Sequence, residues 1–259
     1  MPIYNKLISS LLLILLIAIP THGYAEINSF ASAINEAGRQ RMLSQQIVAN
    51  YSQVGQNIQK KKSKQQLIDA IIKFDELLKD LMIHQPSGKI NKQLKRVNEL
   101  WLQMRLIAQA PVQRSNAEEL EKQAEKVLRA SHRVVIMLQD KYNSTHGELV
   151  NISGRQRMLS QRLSKLYMLQ SWGFSSSEYS SDYSQAINEF KGGLSILIKS
   201  GSNTPKIKKE LNKVRKEFAI LEKSTHQEKG VFIPLMVKMS ADKLLKLMDE
   251  ITHLYEQLE

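Results

Sequence analysis

The octapeptide Gly-Arg-Gln-Arg-Met-Leu-Ser-Gln occurs twice, at Gly38–Gln45 and at Gly154–Gln161, 116 residues apart. An identical octamer recurring within 259 residues marks a tandem duplication, and a duplicated unit constrains the fold more than any local pattern does. The relation extends past the octamer. At the same offset Ala70, Ile71, Phe74, Leu78 and Leu81 meet Ala186, Ile187, Phe190, Leu194 and Leu197. One inserted residue later Ile90, Leu94, Val97 and Trp101 meet Ile207, Leu211, Val214 and Phe218, and further on Ala124 and Leu128 meet Ala241 and Leu245. These positions are mostly apolar and recur every three or four residues, the period of a buried helix face. Each unit runs for about 110 residues, an ordinary domain size.

Strand signals are scarce, and helical periodicity covers almost all the rest. It predicts helices near 27–59, 65–84, 90–109 and 113–142, repeated near 146–172, 180–199, 206–224 and 235–258. Pro86-Ser87-Gly88 and Gly201-Ser202-Asn203-Thr204-Pro205 break the pattern at equivalent places, and Pro111 and Pro234 precede the last helix of each unit, where proline is tolerated. Four helices with short loops form an up-down bundle. The expected fold is therefore all-α: two tandem up-down four-helix bundles, residues 26–143 and 144–259, after a cleaved signal peptide. At the junction Thr145 and Glu148 fit a capping box, which predicts a helix break. A continuous helix of about 60 residues is the competing arrangement, since one glycine costs only about 1 kcal/mol. A turn back would set the first helices of the two units side by side and parallel; a continuous helix would stack the units end to end.

Residues 1–25 read as a secretory signal rather than part of the fold. Lys6 supplies the positive start, Leu7–Ile19 is an apolar run with two serines, Pro20 breaks it, and a cut is expected after Ala25. The run has 13 residues, where a spanning helix needs about 20. The mature protein is thus expected in the periplasm. Without cysteine it has no disulfide, thiolate metal site or lipidated cysteine, so helix packing alone must stabilise it. Formal charge is +12, or +11 once Lys6 is removed. That balance suits small anions, acidic envelope polymers or lipid head groups. Nucleic acid is not expected, because the lysines are spread through helices, aromatics make up only 6%, and no binding motif occurs. The densest run, Lys60-Lys61-Lys62 with Lys64, is expected at a helix end, where cations favour the dipole.

On a helical wheel Leu43, Ile47, Tyr51, Val54 and Ile58 form a core stripe, while Gly38, Arg41, Met42 and Gln45 fall on another side. The second copy repeats this with Leu159, Leu163 and Tyr167 against Gly154, Arg157, Met158 and Gln161. Core packing accounts for the leucines but not for identity on the other side. Arginine offers a fixed fork of donors suited to planar oxyanions, glutamine one turn on adds a neutral donor, and glycine one turn back allows close approach. Facing stripes of this kind would clamp an anion. The competing reading is that these polar side chains are solvated or pin one helix to another.

No enzyme is expected. His84, His132, His146, His226 and His253 are scattered, and no nucleophile elbow, phosphate loop or HExxH motif occurs. Ser44 and Ser160 lack a neighbouring base, and neither a cofactor nor a metal is implied. Trp101 with Phe218 and Phe74 with Phe190 read as core anchors.

The stretches 35–46 and 151–162 resemble the signature of the PilJ-type sensor domain, the N-terminal domain of type IV pili methyl-accepting chemotaxis proteins, related to the periplasmic domain of NarX-type nitrate/nitrite sensors. The resemblance covers nearly the whole chain beyond residue 25. It implies a periplasmic four-helix sensor bundle, in which an arginine of the corresponding helix contributes to an anion site at a two-fold interface. The matching positions are Arg41 and Arg157, while Arg39, Gln40 and Leu43 depart from the nitrate-sensor pattern. Two readings follow. In the first, Arg41, Arg157, Gly38, Gly154, Gln45 and Gln161 bind a small anion of nitrate or nitrite type. A membrane chemoreceptor or sensor kinase then carries the signal, because the chain is expected to have no transmitter of its own. In the second, the helical faces dock an envelope or pilus-system component without a ligand. A homodimer fits either.

Overall fold

The structure is a computed structural model that describes residues 27, 29–84, 87–174, 177–225 and 231–258; the predicted signal segment lies outside them. Among the described residues there are eight helices and no strand: α1 (Phe30–Gly55), α2 (Lys60–His84), α3 (Gly88–Gln109), α4 (Arg114–Tyr142), α5 (Thr145–Ser171), α6 (Ser177–Lys199), α7 (Pro205–Thr225) and α8 (Pro234–Glu256). The all-α expectation and the number of helices hold. In the first unit α1 packs on α2 and α4, and α3 packs on α4; in the second α5 packs on α6 and α8, and α7 on α8. The shared apolar positions form the core of each. Phe74 stacks on Trp101 with centroids 4.0 Å apart, and Phe190 stacks on Phe218 at 4.3 Å.

The chain turns back between the units. Asn143 closes α4 in the left-handed region (φ 38°), a conformation asparagine tolerates. The cap of α5 is Ser144, whose hydroxyl accepts from the Gly147 amide at 2.9 Å, one residue ahead of the expected Thr145. Helices α1 and α5 consequently run parallel and side by side, in the most extensive contact of the fold. Their register is read at both ends. Gly147 meets Ile34 near the start, while Gln56 donates to the Met168 carbonyl at 2.9 Å near the finish. There the Trp172 ring lies against Gly55, where a Cβ would strike it.

One sequence expectation fails. Asn57 and Gln59 both take positive φ (58° and 43°), so α1 ends at Gly55 and α2 begins at Lys60, with no proline in the link to announce the break. Lys60, Lys61 and Lys62 therefore open α2, at its positive dipole end, and do not favour the dipole as expected. A second tie is common to both units. The Tyr51 hydroxyl accepts from the Gln113 amide at 3.0 Å and the Tyr167 hydroxyl from the Ile233 amide at 2.7 Å, each fixing the loop ahead of the last helix.

Candidate functional site

The polar side of α1 is not a solvent face. From Ala31 to Val54 only Arg39 and Gln46 are partly exposed, and on α5 the equivalent Arg155 and Arg162 are likewise partly exposed. A helix buried on every side needs no single apolar stripe, and both helices accordingly carry small and polar residues at their mutual contact. There Gly38 and Gly154 oppose each other. A β-carbon on Gly38 would lie 3.3 Å from Arg41 Nη2 and 3.6 Å from Arg157 Nη2; one on Gly154 would lie 3.2 Å from Arg157 Nη2 and 3.6 Å from Arg41 Nη2. The two glycines make room for two guanidiniums, and Arg41 and Arg157 are 1% and 0% exposed.

Each arginine reaches across to the other helix. Arg157 Nη2 donates to the side-chain oxygen of Asn35 at 2.6 Å and to its carbonyl at 3.3 Å; Arg41 Nη2 makes a long contact (3.5 Å) with the carbonyl of the equivalent Asn151. The backbone relation is near two-fold, but the side chains depart from it. The Asn151 amide is turned away to Gln139, and the last helices present different partners. On α8 Asp249 accepts from Arg157 Nη1 at 2.5 Å and from Arg39 at 3.0 Å. The corresponding position on α4 is His132, whose Nδ1 lies 3.2 Å from Arg41 Nη1. The Nε of both arginines is buried without a hydrogen-bond partner.

The charges follow this asymmetry. Burial would raise the Asp249 carboxyl, but Arg157 and Arg39 outweigh burial and hold it below its ordinary value. Arg157 is lowered by burial and by Arg39, with Asp249 opposing. For Arg41 burial, Arg155 and Arg157 act together and no carboxylate offsets them, which brings it down to about 9. The guanidinium still carries its charge at neutral pH. Burial and then Arg41 and Arg155 push His132 down to about 4, so it is neutral at neutral pH and accepts the arginine proton through Nδ1.

The structure thus brings together four of the six predicted site residues: Gly38, Gly154, Arg41 and Arg157. Gln45 and Gln161 diverge. Gln45 donates to Ser44 Oγ at 3.3 Å and Gln161 to the Ala241 carbonyl at 3.4 Å, so both serve helix packing. Ser44 and Ser160 each donate to the carbonyl three residues back, that of the arginine itself. Sequence reasoning assigned no role to Asn35, Asn151, His132 or Asp249. The two asparagines carried a signal, lying at the same offset as the octamers. His132 and Asp249 fall at the offset that pairs Ala124 and Leu128 with Ala241 and Leu245, but their identities differ, and only packing of the last helix on the first sets them against the arginines.

The description "Type IV pili methyl-accepting chemotaxis transducer N-term" (PilJ) matches residues 24–129 and 141–231, which cover about three quarters of the chain and both octamers. The chain belongs to the PilJ family. No curated protein and no solved structure matches it. The PilJ family is a sensor-type module of chemotaxis transducers, and membership is consistent with a sensory or interaction role. The guanidinium pair lies within the two matched segments, on the first helix of each.

Proposed function

We propose that this PilJ protein is an exported, periplasmic sensory module that recognises a small oxyanion at the Arg41–Arg157 contact and signals through a separate membrane receptor. The observation that carries the reading is the convergence of two buried guanidiniums on one glycine-lined crossing, where Arg157 has the carboxylate of Asp249 and Arg41 has none. A buried charge without a partner costs several kcal/mol. An anion would offset that cost on binding, and the offset links occupancy to the packing of α1 on α5. Because the two units share one chain, α1 and α5 supply in one molecule the paired helices that other sensors assemble from two subunits. Nitrate and nitrite are the first probes, followed by other oxyanions.

Thermal unfolding of the protein against an oxyanion panel at constant ionic strength tests this. Ligand at ten times its dissociation constant adds about 1.4 kcal/mol, a shift of a few degrees. The expected result is a selective rise that disappears in Arg41→Gln. Absence of a rise with every anion would leave the arginines as a packing device between α1 and α5.

A further inference from the structure

The two copies differ at one chemically decisive position. Asp249 gives Arg157 a carboxylate, whereas His132 gives Arg41 only a neutral ring nitrogen. Beside Arg41 a cleft of about 160 Å³ lies between α4, α5 and α6, lined by Arg41, Arg129, His132, Arg155, Arg162 and Glu189 among others. Two of its arginines are neutralised: Arg155 by Glu189 at 2.8 Å, and Arg162 by Glu125 at 2.7 Å and Asp182 at 2.8 Å. The other two are not. Arg41 is buried with its Nε unpartnered, and Arg129 is exposed without an ion pair among the described residues. Arg41 and Arg129 are therefore the two lining cations without a carboxylate of their own, and Arg41 is desolvated, where an attraction is strongest.

We infer that this cleft is the anion site and that only the first copy provides it: a small oxyanion binds there to Arg41 and Arg129, beside His132, supplying the negative charge that Asp249 supplies to Arg157. The inference rests on the anion-sensing reading and narrows it, from a shared symmetric clamp to a one-sided site reached between α4, α5 and α6. Arg157 remains closed by its own carboxylate. The cleft suits a compact ion with two or more oxygens, since guanidinium forks bind such groups through paired hydrogen bonds.

The test compares the protein with three variants, His132→Asp, Arg129→Gln and Asp249→Asn, each titrated with nitrate, acetate and sulfate against chloride at constant ionic strength, reading the thermal midpoint and direct calorimetric binding. His132→Asp installs the second copy's carboxylate on Arg41. It is expected to raise the midpoint without ligand and to abolish the response to the probe that shifts the parent protein. Arg129→Gln, at an exposed position that leaves the fold intact, is expected to weaken that probe about tenfold. Asp249→Asn should leave the response in place. A response undiminished in both His132→Asp and Arg129→Gln overturns the cleft while leaving anion sensing standing. A response unchanged in His132→Asp and Arg129→Gln but strengthened in Asp249→Asn moves the site to Arg157 in the second copy and likewise overturns it. No response from the parent protein to any of the three probes sinks the inference and the anion-sensing reading together.

Discussion

His132 and Asp249 occupy equivalent places on α4 and α8, and each faces the first-helix arginine of its own unit, at 3.2 Å from Arg41 and 2.5 Å from Arg157. A duplicated fold has thereby placed a neutral imidazole in one copy where the other has a carboxylate. The near two-fold packing of α1 on α5 is built around a charge arrangement that is not two-fold at all. Several expected outcomes follow from this difference and from the packing that surrounds it.

Asp249 bridges Arg157 and Arg39, so its removal takes the hydrogen-bonded carboxylate from a fully buried guanidinium. Breaking a buried pair from one side costs about 3–5 kcal/mol, and the partial exposure of Asp249 reduces that to about 2 kcal/mol in Asp249→Ala. Arg41→Met should behave differently. It replaces an unneutralised buried cation by an apolar chain of similar length, so stability is expected to hold or rise by about 1 kcal/mol. Urea unfolding of the two variants separates the cases, and equal losses would contradict the asymmetry.

His132 sets a pH dependence with a definite sign. Its folded value, about 4, lies below the ordinary 6.5, through burial and then the charges of Arg41 and Arg155, with Glu189 opposing. The unfolded chain therefore takes up the proton first. Stability from this group is complete above pH 6.5 and is lost as pH falls toward 4, a change of about 1 kcal/mol once screening at a partly exposed ring is allowed for. The thermal midpoint should fall between pH 6.5 and 5 in the parent protein and stay flatter in His132→Gln.

A second acid limb lies lower. Burial would raise the Glu125 carboxyl, but Lys165 and Arg162 hold it at about 2. This carboxylate stabilises the fold above its ordinary 4.5, and that stability is lost as pH falls from there toward 2. In Glu125→Gln the buried Lys165 keeps Glu121 at 3.0 Å as its other carboxylate. The variant should be less stable than the parent at pH 7, with the gap closing toward pH 2. A gap independent of pH would contradict the assignment.

Gly38 is needed for space, not for backbone freedom. A methyl group there meets Arg41 Nη2 at 3.3 Å, which a guanidinium can yield to, and alanine also favours the helix by about 1 kcal/mol. Gly38→Ala should thus be close to neutral in stability. Gly38→Val extends the side chain into both guanidiniums, and overpacking of this kind costs about 1–3 kcal/mol. Calorimetric unfolding of the pair distinguishes steric crowding from a conformational requirement, which would penalise both alike.

The elements that could be read without a structure were those with local causes. The octamers, the matched aromatics Phe74/Phe190 and Trp101/Phe218, and the prolines ahead of α4 and at the start of α8 specified a duplicated helical fold, because periodicity and chain breaks act over a few residues. The link between α1 and α2, expected at 60–64, lies instead from Gln56 to Gln59, since two non-glycine residues with positive φ leave little trace in composition. Arg41, Arg157 and the two glycines were legible as a repeated polar stripe, and their sequence alone determined that both copies would carry it. Whether that stripe met water, a neighbouring helix or another protein depended on the turn at Asn143. Only the tertiary structure decided that α1 and α5 lie parallel with both arginines buried at one crossing, and that His132 rather than a carboxylate faces Arg41. Those relations join residues about 90 to 120 positions apart, and such contacts are set by the packing of whole helices rather than by any local preference of the chain.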